Sequence, residues 1–131
     1  MNYSIFDKNK LAEVVSAAPT GAKTVKLFSG AWDGPYAVAS VVIDNVRPDA
    51  EVHEHAADVW HVLKGSGKFI LGGKLENAKE VRAGEFTASS IRGGIEYEVT
   101  DGDVVDIPAG VPHQIDAAGS RLEMLIIKIN G

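Results

Sequence analysis

The sequence predicts an all-β fold, an antiparallel β-barrel or jelly roll preceded by one short N-terminal helix. Three observations carry that expectation. From Ala22 onward apolar residues alternate with period two, the mark of strands with one buried face. Turn-forming residues interrupt these runs every ~8–12 residues, as in sandwiches and barrels. Fourteen glycines spread through 131 residues allow many tight turns, and closing the sheet on itself removes the edges that such strands otherwise expose.

The helix falls within residues 1–20, where Asp7 can cap its start, Leu11, Val14, Val15 and Ala18 recur at helical spacing, and Pro19 stops it. Strands are expected over 23–32, 36–46, 51–55, 58–64, 67–71, pieces of 80–91, 95–100, 103–107, 112–116 and 121–129. Turn signals separate them at Asp33-Gly34-Pro35, Arg47-Pro48-Asp49, Lys64-Gly65-Ser66-Gly67, Gly72-Gly73, Gly93-Gly94, Asp101-Gly102 and Pro108-Ala109-Gly110. With no linker or low-complexity tract, residues 1–131 read as one domain, a helix and arm over 1–21 and a barrel over 22–130. A domain of this size buries about two-thirds of its unfolded surface, enough for a core without staples.

Composition narrows the function. Thirteen Lys and Arg against 18 Asp and Glu give a net charge of −5 and a pI near 5.3; with no basic cluster, nucleic acid is an unsuitable partner. Apolar stretches such as 37–43 and 122–127 fall well short of the roughly 20 residues a membrane helix needs, and the first residues lack a signal-peptide pattern, so a cytoplasmic protein is expected. Zero cysteines exclude a thiolate nucleophile, a Cys-ligated zinc and an iron–sulfur cluster. Imidazole and oxygen remain as metal ligands.

There are four histidines. His53 and His55 stand two apart in an expected strand, so both side chains leave one face, with Cα atoms about 6.6 Å apart, and can converge on one ion. The plainer reading is a pair of exposed strand histidines. Asp58 shares a face with Trp60 and Val62, and an inward carboxylate requires a cation; alternatively the strand begins after it and Asp58 ends a turn. His113 follows the rigid turn Pro108-Ala109-Gly110, which can aim one side chain at a shared point. His61 faces away from Asp58 by parity and reads as an outer-face or subunit-contact histidine rather than a further ligand.

These residues resemble the two motifs of a single-domain cupin. His53-Glu54-His55, then Asp58, then six residues to Gly65 follow the first motif; Gly102, Pro108-Ala109-Gly110 and His113 follow the second. The motifs span 47–117, and flanking strands extend the likeness over roughly 22–130. The resemblance implies that His53, His55 and His113 ligate one divalent transition metal inside the barrel, with Asp58 at the place of the family's glutamate, and that the protein is a homodimer. Arg47 and Ala117 depart from the family's opening Gly and closing Asn. Asp58 comes one residue early and is a methylene shorter than Glu, while ligand distances hold within about 0.2 Å. Ligation by the histidines is therefore the firmer expectation, with Glu51, of the same parity as His53 and His55, as reserve carboxylate.

Such a site leaves open coordination positions, the feature separating catalytic from structural metals, with Fe, Mn, Ni, Cu or Zn as the candidate ions. Trp60, Phe69, Leu71, Tyr97, Ile115 and Met124 are expected to line an apolar pocket for a small organic ligand, although each could equally be barrel core. The Tyr97 hydroxyl is the candidate catalytic group, to hydrogen-bond a substrate or pass a proton. Residues 72–94 read as a solvated hairpin, with a lid carrying Arg82 or Arg92 as the alternative. Two functions are compatible with these features: a metal-dependent dioxygenase, isomerase, lyase or decarboxylase, and a non-catalytic small-molecule-binding or metal-binding module.

Overall fold

The computed structural model describes residues 3–131. Helix α1 (Lys8–Ser16) precedes strands β1 (Lys23–Gly30), β2 (Tyr36–Asp44), β3 (Ala50–His53), β4 (Ala56–Leu71), β5 (Lys74–Leu75), β6 (Lys79–Arg82), β7 (Glu85–Ala88), β8 (Ile91–Arg92), β9 (Ile95–Thr100), β10 (Val104–Ile107), β11 (His113–Asp116) and β12 (Arg121–Asn130).

The helix starts as its sequence dictates. The Asp7 carboxylate accepts a hydrogen bond from the Lys10 backbone N–H at 2.9 Å, satisfying one of the donors a helix N-terminus leaves open. α1 lies along the outer face of β2, where Val14 and Ala18 stand near Ser40 and Val42, and both β2 residues are buried. At its other end, Arg121 Nη2 donates to the carbonyls of Val15 (2.8 Å) and Ala18 (3.1 Å), while Nη1 pairs with Asp44 at 3.0 Å. Carbonyls at the helix C-terminus thus find a cation on β12.

The strands form two antiparallel layers joined by β4. The first half of β4 pairs with β12 and β10, and β12 continues to β2 and β1. The second half pairs with β9 and β11, and β11 continues to β3, β7 and β6. β5 and β8 make a separate short ladder. The core between the layers includes Val41, Ile43, Val62, Phe69, Ile115, Leu122 and Met124.

Two expectations from the sequence change. The segments 58–64 and 67–71 are one strand rather than two, and the Gly65-Ser66-Gly67 signal marks the place where that strand passes from one layer to the other. Gly65 has φ +109°, and a Cβ there would lie 1.9 Å from the Arg121 carbonyl oxygen. Only glycine lets β4 and β12 approach this closely. The expected strand 51–55 stops at His53, and Glu54 and His55 form a turn. No described helix is long and apolar enough to cross a membrane.

Candidate metal centre

β3 presents alternate residues to one face, so Glu51 and His53 point together. β11 places His113 directly opposite Glu51, and β7 places Glu85 opposite His53. Asp58 reaches the same point from the first half of β4 and is 1% exposed. Ligand atoms of Glu51, His53 and His113 all lie within 4.8 Å of one another. His53 Nε2 is 3.3 Å from Glu51 Oε2 and 3.2 Å from Asp58 Oδ2. His113 Nε2 is 3.9 Å and 3.6 Å from the same two oxygens.

These separations fit a metal ion. With bonds of about 2.1 Å, neighbouring ligand atoms stand about 3.4 Å apart around a tetrahedral ion and about 3.0 Å around an octahedral one. The hydrogen-bond inventory gives an independent test. His113 Nδ1 faces the Val111 carbonyl at 3.0 Å, so Nδ1 carries the proton and Nε2 is left as a lone pair. That Nε2 is buried with no hydrogen-bond partner, whereas buried polar atoms are almost always satisfied. A lone pair facing two carboxylate oxygens has no proton to share with them; a cation among the three resolves the conflict.

The surrounding groups hold the donors in place. Glu85 Oε1 is 2.7 Å from His53 Nδ1 and fixes that nitrogen as a donor, turning Nε2 towards the centre. Lys128, opposite Asp58 across the β4–β12 ladder, donates to Asp58 Oδ1 at 3.0 Å and leaves Oδ2 for the site. Burial would push the His53 imidazole down, but Asp58 and Glu51 outweigh it and raise its pKa to about 10. Burial likewise opposes ionisation of Glu51, yet the hydrogen bond from His53 and the charge of Lys23 bring it to about 2. Asp58 is held below the usual carboxylate range, against its own burial, by His53 and Lys128. Burial keeps His113 low and therefore neutral.

A cavity of about 690 Å³ opens beside these donors, with walls from both layers. Trp60 lines it. Phe69, Ile115 and Met124 lie in the packed core instead, and Leu71 packs against that core partly buried. Ile115 does border a smaller cavity behind His113.

Of the three expected imidazoles the structure gathers His53 and His113 and leaves His55 outside. Its side chain is 74% exposed at the cavity rim, with its ring against Gly84. The reason is the early end of β3: parity holds for Glu51 and His53 but does not continue through the turn. Tyr97 is also displaced, lying opposite Phe69 on β9, which among the described residues pairs with β4 alone, and it is 49% exposed and away from the cavity walls. His61 is exposed. Within 72–94, Arg82 lines the cavity, while Arg92 pairs with Glu76 at 3.4 Å. Glu85 and Lys128, absent from the expected set, arrive through strand pairing.

No family model matches the sequence, and no curated protein matches it. Solved structures do. A protein with a double-stranded β-helix domain from Klebsiella pneumoniae superposes with a TM-score of 0.68 at 17% identity, over 99% of this chain and 92% of that one. A cupin superfamily protein from Desulfitobacterium hafniense gives 0.60 at 13% identity, over 90% and 88%. A DMSP lyase from Ruegeria pomeroyi gives 0.58 at 16% identity, over 89% of this chain and 53% of the lyase. The fold is that of the cupins, the double-stranded β-helix.

Proposed function

We propose that the chain binds one divalent transition metal through His53, His113 and Glu51, with Asp58 as a further oxygen donor, and acts as an enzyme on a small organic molecule in the adjoining cavity. The observation that carries the metal reading is the buried, unpartnered Nε2 of His113 facing two carboxylates. The donor set of two imidazoles and oxygens suits Fe, Mn, Ni, Cu or Zn. When bound, such an ion supplies Lewis-acid chemistry or activates water. The protein's own groups prepare the site: Glu85 and the Val111 carbonyl fix the two imidazole tautomers, and Lys128 holds one Asp58 oxygen so that the other faces inward. Val41 and Ile126 supply apolar wall. The fold similarity to a DMSP lyase supports small-molecule chemistry only by analogy, since one fold hosts many reactions.

Metal titration of chelator-stripped protein tests the first part. The parent and His55→Ala are expected to bind one Zn²⁺ per chain, and His113→Ala to lose most of that binding while keeping its circular dichroism. Stoichiometric Zn²⁺ in His113→Ala overturns the site. For the catalytic part, azide is expected to change the visible spectrum of the Co²⁺-substituted protein by entering an exchangeable coordination position. An unaltered spectrum would instead identify a closed, non-catalytic binding module.

A further inference from the structure

Lys23, Arg82 and Lys128 line the cavity on the positive side. Asp33, Glu51, Asp58 and Glu85 line it on the negative side. These cations and carboxylates alone sum to one negative charge, and with a dication bound and both ligating imidazoles neutral the total is one positive charge. The cations are not equivalent. Lys128 is committed to Asp58 at 3.0 Å, whereas among the described residues neither Lys23 nor Arg82 forms an ion pair, and they come from different layers, β1 and β6. Val25, Val41, Ile126 and Trp60 supply apolar surface in the same cavity. A volume of about 690 Å³ is in the range of small-ligand sites.

We propose that this cavity selects a small monoanionic organic ligand, a carboxylate with an apolar body, and that Lys23 and Arg82 are the residues that draw in and orient its anionic end. The inference rests on the metal reading above, because the ion sets the sign of the cavity's charge. It goes beyond that reading by assigning the selectivity to two side chains that touch none of the metal donors' hydrogen bonds. Both residues are exposed, so their pull on an anion is that of solvent-screened surface charges, and charge-assisted contacts to a carboxylate add direction.

The protein carries its own reporter, since Trp32 and Trp60, its two tryptophans, both border the cavity. Zn²⁺ stoichiometry is first measured by calorimetry for the parent and for a Lys23→Gln/Arg82→Gln double variant, because Lys23 also acts on Glu51 through its charge. The Zn²⁺-loaded protein is then titrated, with intrinsic fluorescence as readout, with cyclohexanecarboxylate and with cyclohexylmethanol, which shares the apolar body and lacks the charge. The carboxylate is expected to bind more tightly, and the Lys23→Gln/Arg82→Gln double variant to weaken it about five- to tenfold while leaving the alcohol unchanged. Bound Zn²⁺ with equal affinity for the two probes overturns this inference alone. A carboxylate preference that survives the double variant also overturns it, because the anion is then held by the ion and not by Lys23 and Arg82. Absence of Zn²⁺ binding overturns the metal reading and this inference with it.

Discussion

Replacing Lys128 by Met tests how the buried charges depend on one another. Asp58 is 1% exposed and its Oδ1 accepts from Lys128 Nζ at 3.0 Å, with the lysine side chain only 13% exposed. Removing one member of a buried pair generally costs about 3–5 kcal/mol, because the other charge is left uncompensated. Here Asp58 keeps His53 Nε2 at 3.2 Å as a second partner, so the cost falls below that range, to about 2–3 kcal/mol. For the 131-residue chain, an unfolding entropy of about 2.1 cal/mol/K per residue makes this about 7–11 °C in Tm. Calorimetric scans of metal-free Lys128→Met should show that drop. Scans with saturating Zn²⁺ should show a smaller deficit, since the ion neutralises the same carboxylate. A metal-free drop under about 3 °C refutes the assigned burial of the pair. An equal deficit with and without Zn²⁺ refutes the placement of Asp58 at the ion.

Three further outcomes follow from the same geometry. Glu85→Gln removes the carboxylate 2.7 Å from His53 Nδ1 and should weaken Zn²⁺ binding about 10–100-fold, the usual effect of losing such an orienting partner; an unchanged Kd in a chelator competition contradicts it. In metal-free protein, His53 has its pKa raised from 6.5 to about 10, so its stabilisation is complete below pH 6.5 and fades as pH rises towards 10. Glu51, lowered from 4.5 to about 2, stabilises above pH 4.5 and loses that effect as pH falls towards 2. Urea titrations should therefore show a plateau between these limbs, and His53→Gln should flatten the alkaline one; an alkaline limb of undiminished size excludes His53 as its source. Gly65→Ala should cost more than about 4 kcal/mol, because its Cβ meets a carbonyl oxygen at 1.9 Å, whereas Gly102→Ala, with φ +88° in open space, should cost only about 1–2 kcal/mol. Similar midpoints for the two variants refute the close approach of β4 and β12.

The parts of this protein that are readable from sequence are those set by near neighbours. Asp7 caps the helix that begins at the next residue through the Lys10 N–H, and the apolar runs that become β2 and β12 need no knowledge of partners. Glu51 and His53 share a face by the same local parity. The limits of that reasoning are also local. Gly65-Ser66-Gly67 carries the composition of a turn, yet its glycines answer to Arg121 and Leu122, which press on the strand from far along the chain. His55 satisfies a two-residue spacing, but parity has meaning only while the strand lasts, and β3 ends at His53. Glu85 and Lys128 carry no motif. They matter because β7 lies beside β3 and β12 beside β4, a fact of register that no short window contains.

The layer-switching course of β4 also orders events during synthesis. Its second half brings the β11 strand that carries His113, and its first half brings the β12 strand that carries Lys128, so the last strands of the described chain close both layers. While the ribosome has delivered only the segment with Glu51, His53 and Asp58, these donors have no closed cavity around them and no His113 to complete them. The proposed donor set is therefore incomplete until β11 has been made, and Asp58 gains its lysine partner only when β12 follows.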